Sequence, residues 1–276
     1  MARLVTTDIK SVRPPAVAGR FYPADPGELR ELIGSLLIQA PPAIGPAPKA
    51  LIAPHAGYIY SGPIAASAYA QLAPARELVK RVVLIGPSHY VALDGLAATS
   101  AEAFATPLGT VPVDVASLRQ IESLARVRVR DEAHAREHSL EVQLPFLQTV
   151  LDRFTLVPLA VGNATMEEIC RVIDLLWNGP ETCFVISSDL SHYYDSQTAR
   201  RLDQATAAAI EALEPDAIGE GQACGRIPIC GFLHAARRHG LRARTVDLRN
   251  SGDTAGTRDR VVGYGAFVFE QQAGVD

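Results

Sequence analysis

The sequence predicts one α/β domain: a mixed, mostly parallel central sheet with helices on both faces. Strand-like and helix-like segments alternate along most of the chain, the pattern of parallel strands joined by helical crossovers. The run Val82-Val83-Leu84-Ile85 has no polar break, as befits a strand buried on both faces. A chain of 276 residues that is 48% hydrophobic and 20% charged also carries enough apolar side chains for a large core.

The elements follow in order. RPPAVAGRFYP (residues 13–23) is turn-rich and aromatic and reads as a tethered arm. Asp25-Pro26 reads as an N-cap with proline in the first turn, and Leu29, Leu32, Ile33, Leu36 and Leu37 follow at helical spacing. APPAIGPAP (40–48) is the one linker-like segment, but a single helix ahead of it cannot bury a core alone. Residues 1–276 are therefore read as one domain without repeats. ALIAP (50–54) is a strand, 61–72 a helix starting at Ser61, and RVVLIG (81–86) a strand. Short strands are expected in 95–100 and 104–114, a helix over 115–125, and a helix over 137–151 bent at Pro145. A strand (154–162), a helix (165–177), a strand (183–189) and an alanine-rich helix (196–213) come next. A helix over 228–240 stopped by Gly240 precedes closing strands at 242–248 and 261–269.

Composition narrows the function. A net charge of −4 gives no basic footprint for nucleic acid. No apolar run reaches the roughly 18 residues of a membrane helix. MARLVTTDIKSVRPP lacks the apolar centre of a secretory signal. The four cysteines, Cys170, Cys183, Cys224 and Cys230, form no CxxC, so a cytoplasmic location and no disulfide frame are expected.

Three predicted strands end at or just before a histidine: ALIAP before His55, RVVLIGPS before His89, and CFVISS before Asp189 and His192. Ligands of open α/β sheets sit beyond the carboxyl ends of the strands. If these strands are parallel neighbours, their imidazoles converge on one rim, and a metal is the economical reason for converging imidazoles. Asp189, Glu137, His138, Glu141 and Cys224 are candidates for a third ligand. Cys224 stands just before a helix, where a thiol pKa is expected to be lowered. Cys170, Cys183 and Cys230 read as core. In EHSLEVQ (137–143), Glu137 and Glu141 are expected to share a helix face, either solvated or orienting a ligand imidazole. His134 reads as surface, and His234 and His239 as structural.

The segments RPPAVAGRFYP, APHAGYIYSGPIA, GPSHY, EHSLEVQLPFL, SSDLSHY, CGRIPI and VVGYGAFVF, in that order, resemble the Memo family, also called AmmeMemoRadiSam system protein B. The resemblance covers nearly the whole chain. It implies a fold like that of class III extradiol-type non-haem iron dioxygenases, which hold Fe(II) with two histidines and a glutamate and use another histidine as acid/base. Carried over, it implies His55, His89 and Cys224 as metal ligands, His192 as the acid/base group and Asp189 beside it. Tyr90 and Ile227 depart from relatives that have histidine there. Tyr58, Ser88, Glu137, His138, Glu141 and Arg226 are expected to contact substrate, with Arg226 binding an anionic group.

The reading that follows is a metal-dependent oxidoreductase with Fe(II), or alternatively Cu or Zn, acting on a small molecule or peptide. A link to AMMECR-like and radical SAM proteins is suggested by the family name. The alternatives are a non-catalytic binding module using the same cleft, and a zinc hydrolase. A Ser188-Asp189-His192 triad is disfavoured because the three lie too close in sequence, and no GxSxG elbow is present.

Overall fold

The computed structural model describes residues 10–124 and 126–271. The chain opens with β1 (Val12–Arg13) and α1 (Pro26–Gln39), whose first turn is capped by the Asp25 carboxylate accepting from the Gly27 and Glu28 amides. Next come β2 (Ala50–Ala53), α2 (Tyr58–Ala70), β3 (Arg81–Pro87), β4 (Leu96–Ala98), and β5 (Ala103–Thr106) with β6 (Gly109–Pro112). Then follow α3 (Val115–Ile121), β7 (Val127–Val129), α4 (Asp131–Ala135), α5 (Leu144–Val150), β8 (Thr155–Val161) and α6 (Met166–Leu175). The last third holds β9 (Thr182–Ser187), β10 (His192–Tyr194), α7 (Ser196–Glu211), α8 (Arg226–Arg238), β11 (Leu241–Asn250) and β12 (Val261–Gln271).

The main sheet runs β10-β12-β2-β9-β3-β8-β4-β7, with β11 also paired to β12. Its centre, β2-β9-β3-β8, is parallel throughout. Every residue of β2 and β9 is buried, as is β3 after Arg81, which is why these strands read as unbroken apolar runs. At either side β12 pairs antiparallel with β2, β11 and β10, and β4 antiparallel with β8, while the outermost β7 pairs parallel with β4. Helices cover both faces. α2, backed by α1 and α5, packs on β2, β11 and β12; α8, with α6 beside it, packs on β3 and β9. No helix among the described residues is long and apolar enough to cross a membrane.

The α/β class and the mostly parallel centre are as the sequence predicts, and several local expectations change. The arm is partly a strand: β1 pairs with β5 in a separate three-stranded sheet, β1-β5-β6. Helix α2 begins at Tyr58, not Ser61, because the chain turns into it straight after His55. The helix expected over 137–151 is broken: a loop carries residues 136–140, a 3-10 turn spans Glu141–Gln143, and α5 starts only at Leu144. Pro145 therefore lies in a first helical turn, where proline is tolerated, and makes no bend. Helix α3 stops at Ile121, and residue 125, the expected end, lies outside the described residues. The opening residues 1–9, read for a targeting signal, lie outside them too. β7, α4 and β10 are too short to leave a periodic signal.

Candidate functional site

β2, β9 and β3 are parallel neighbours, so their carboxyl ends open on one rim. Each delivers chemistry there. His55 follows β2 by two residues, His89 follows β3 by two, and Asp189 and His192 follow β9. The His55 and His89 rings are 5.2 Å apart between centroids. The loop before α5 adds a third imidazole: His138 stacks on His89 at 4.6 Å and meets His55 edge-on at 5.5 Å. One ligating atom from each of His55, His89 and His138 lies within 4.8 Å of the others.

The partners of these rings fix which nitrogen faces the rim. His89 Nδ1 donates to Glu137 Oε1 at 2.9 Å, and His192 Nδ1 donates to the Leu190 carbonyl at 2.7 Å. Neither oxygen can be a donor, so Nδ1 carries a proton and Nε2 is the nitrogen left to face the rim. His55 reaches the same state indirectly. The Ser187 hydroxyl donates to the Ser139 carbonyl (2.6 Å) and accepts from Gln143 Nε2 (2.7 Å), which leaves it able only to accept from His55 Nδ1 at 2.9 Å. Gln143 is itself held by the Tyr69 hydroxyl, which donates to its Oε1 at 2.8 Å. Ser139, Gln143 and Ser187 thus position His55; nothing in their spacing marks them in the sequence.

Burial disfavours the charged forms of His55 and His138. Burial, aided by the neighbouring His89, pushes His55 down to about 3. Burial and the His55 charge push His138 down to about 4. His138 Nδ1 is buried without a hydrogen-bond partner. Glu137 is the local anion. Burial would raise its carboxyl, but bonds from the His89 side chain and from the His89 and Ser139 amides hold it down to about 2. Its Oε2 also accepts from His89 N at 2.5 Å, and its Oε1 from His138 N and Ser139 N at 2.9 Å each.

Cys224 Sγ lies 3.2 Å from His55 Nε2 and accepts from the Asp189 amide at 3.3 Å. The lowered thiol pKa expected from the following helix is not what the structure shows. The thiol is pushed up to about 12, by burial first and then by the Asp189 carboxylate. α8 begins two residues later, and Gly225 separates Cys224 from its first turn. Gly225 is required there: a Cβ would stand 2.7 Å from Ser188 Cβ and 2.8 Å from the Ser187 carbonyl. Asp189 accepts from His55 N at 2.7 Å, and burial raises its carboxyl against the charges of His192, His138 and His89.

The remaining sequence candidates lie apart from this cluster. Tyr58 is buried, its hydroxyl donating to the Val142 carbonyl at 2.6 Å. The Ser88 hydroxyl donates to the Val91 carbonyl and faces a different cleft, with Asp94, Arg130 and Asn163. Glu141 does not share a helix face with Glu137. It is fully buried against Arg13, the Ala16 and Val17 amides and the Tyr22 hydroxyl, tying the amino-terminal segment to the core. Arg226 Nε donates to the Ile218 carbonyl, and the side chain lines the cleft between α6 and α8. His134, expected at the surface, is buried, with Nε2 against the Ala97 carbonyl at 3.0 Å.

Comparison with known proteins bears on the whole arrangement. The family model described as "Memo-like protein" matches residues 13–268. A MEMO1 family protein of Aquifex aeolicus (strain VF5) is 36% identical over 269 residues, covering 94% of this chain and 99% of that protein. A MEMO1 family protein of Aeropyrum pernix is 39% identical over 279 residues, covering 92% and 98%. One of Methanosarcina barkeri (strain Fusaro / DSM 804) is 36% identical over 276 residues, covering 94% and 100%. With a family model spanning nearly the whole chain and relatives matched end to end, the protein belongs to the Memo family.

Proposed function

We propose that this Memo family protein is a metal-dependent oxidoreductase, with the metal held at the carboxyl rim of β2, β9 and β3. The observation that carries the reading is the clustering of the His55, His89 and His138 ligating atoms within 4.8 Å. The donor set fits a metal. Imidazoles are ligands for iron, copper and zinc, and a hydrogen-bond acceptor on Nδ1, such as Glu137 on His89 and Ser187 on His55, is the usual support of an Nε2 ligand. His138 Nδ1 makes no hydrogen bond and has only the Glu137 carboxylate 3.4 Å away, so it is the kind of buried atom that a metal or an ordered water would satisfy.

His55 and His89 would hold the metal, with Cys224 or His138 as the third ligand. The thiol rests against His55 Nε2, so Cys224 must lose its proton to ligate, and metal uptake would release that proton. Fe(II), our first assignment, would supply redox and dioxygen chemistry when bound. That assignment extends the resemblance to class III extradiol enzymes; copper or zinc are the other outcomes of the same analysis. His192, half-buried and anchored through Nδ1, would accept or return a proton at Nε2. Asp189, whose carboxylate holds the His55 amide, would keep that turn in place.

The test is anaerobic metal analysis of protein purified without chelator or affinity tag, beside His89→Ala and Cys224→Ala. Near-stoichiometric metal in the wild type, lost from both variants, is the expected result. Metal retained in Cys224→Ala but lost in His138→Ala would make His138 the third ligand. A wild-type protein that takes up no Fe(II), Cu or Zn on titration would refute the reading and leave a binding module.

A further inference from the structure

Away from the histidine rim, α6 and α8 lie side by side and enclose a cleft of about 860 Å³, the size of a cofactor site. Its lining includes none of the clustered histidines, nor Cys224. The α8 wall is cationic. Arg226, His234, Arg237 and Arg238 fall at offsets that bring them to one side of the helix. Arg226 and Arg237 form no ion pair among the described residues, although the protein as a whole is acidic. The Ile218 carbonyl takes Arg226 Nε, which orients the guanidinium and leaves its two terminal nitrogens for another acceptor. Arg238 is anchored by Asp174 and Cys170.

The opposite wall is the amino-terminal half of α6: Ala164, Thr165, Met166 and Cys170. Thr165 caps that helix in a capping box with Glu168, so that end of the helix is already partnered and the arginines of α8 carry the attraction for an anion. The carboxylate in the lining, Glu167, is bonded to Arg171. Ile227 and Met166 give the centre an apolar wall. α6 and α8 run parallel, since Gly231 packs on Ile169 while Arg238 reaches Asp174. Arg226 therefore stands near the positive end of α6, and Arg237 and Arg238 stand about 16 Å further along the axis.

We propose that the α6–α8 cleft binds an organic phosphate of nucleotide size, its phosphate end on Arg226, its apolar body against Met166 and Ile227 and its far end reaching Arg237. A fork-shaped guanidinium whose Nε is already anchored matches phosphate oxygens in charge and in geometry with its two terminal nitrogens. The site is separate from the histidine cluster and does not depend on a metal there.

Calorimetric titration with ADP, pyrophosphate, adenosine and citrate tests it, using wild type, Arg226→Gln, Arg237→Gln and His89→Ala. Arg237 is exposed and unpaired, so its substitution leaves the fold intact, and thermal melting of each variant checks this. The expected result is saturable ADP binding, weaker binding of pyrophosphate and none of adenosine. Both arginine substitutions should weaken ADP at least tenfold, and His89→Ala should leave it unchanged. No saturable binding of ADP or pyrophosphate at millimolar concentration would overturn the proposal. So would citrate binding in place of the phosphates, or ADP binding that is lost in His89→Ala and kept in Arg237→Gln.

Discussion

Glu137 is the residue on which the rim turns. One carboxylate accepts from the His89 ring and from three amides, that of His89 on the turn after β3 and those of His138 and Ser139 on its own loop. Glu137→Gln keeps the shape but puts an amide NH2, which donates and cannot accept, in place of one acceptor. His89 would then lose its orientation, and metal affinity is expected to fall 10–100-fold, about the effect of losing the group that holds a ligand imidazole. Competition against a chromogenic chelator measures this, and unchanged affinity would show that Glu137 only shapes the loop. The histidines at the strand ends were legible because Gly86, Pro87 and His89 interrupt an apolar run. Glu137 and His138 were visible as a polar cluster, but their roles were not, since an expected helix over 137–151 paired Glu137 with Glu141. In the loop that forms instead, Glu137 turns to the rim and Glu141 turns inward.

At the scale of elements, Glu141 fastens the amino-terminal segment. It takes hydrogen bonds from Arg13, Ala16, Val17 and Tyr22, and both charged partners are almost wholly out of water. Removing one member of such a pair leaves a buried charge. Glu141→Ala is therefore expected to cost about 3–5 kcal/mol in urea unfolding, with Arg13→Met/Glu141→Leu recovering a substantial part. A single variant as stable as the wild type would show that β1 and the following turn dock by apolar packing alone. Strand order was not legible in the sequence beyond its parallel character. Nothing in a list of apolar runs tells that β9 lies between β2 and β3, yet that order brings His55, His89 and His192 to one rim. Three-residue elements such as β4, β7 and β10 are specified by the partner strand rather than by their own composition.

For the whole molecule, the buried neutral imidazoles make stability depend on pH. In the unfolded chain a histidine takes its proton near 6.5; in the folded, metal-free protein His138 and His55 do so only at about 4 and about 3. Between those values the unfolded state binds more protons. Their contribution is complete above pH 6.5 and is lost as the pH falls, that of His138 toward 4 and that of His55 toward 3. Glu137 works in the same direction at lower pH, its contribution being lost from about 4.5 toward 2. Calorimetric melting of the metal-free protein should show a Tm that falls steadily from pH 7 to 4.5, with a shallower slope in His138→Ala. A flat profile would mean that the two rings are protonated in the native state.

The parallel order β2-β9-β3 also governs how the protein matures. His55 and Asp189, bonded to each other at the rim, are 134 residues apart in the chain. No hairpin or local helix pair can bring them together, and contacts of such long range form late because the loop must close before they are rewarded. A nascent or partly folded chain therefore offers a metal only scattered single histidines. The chelating cluster comes into being when the central strands are in register, so metal capture during refolding would mark completion of the sheet rather than seed it.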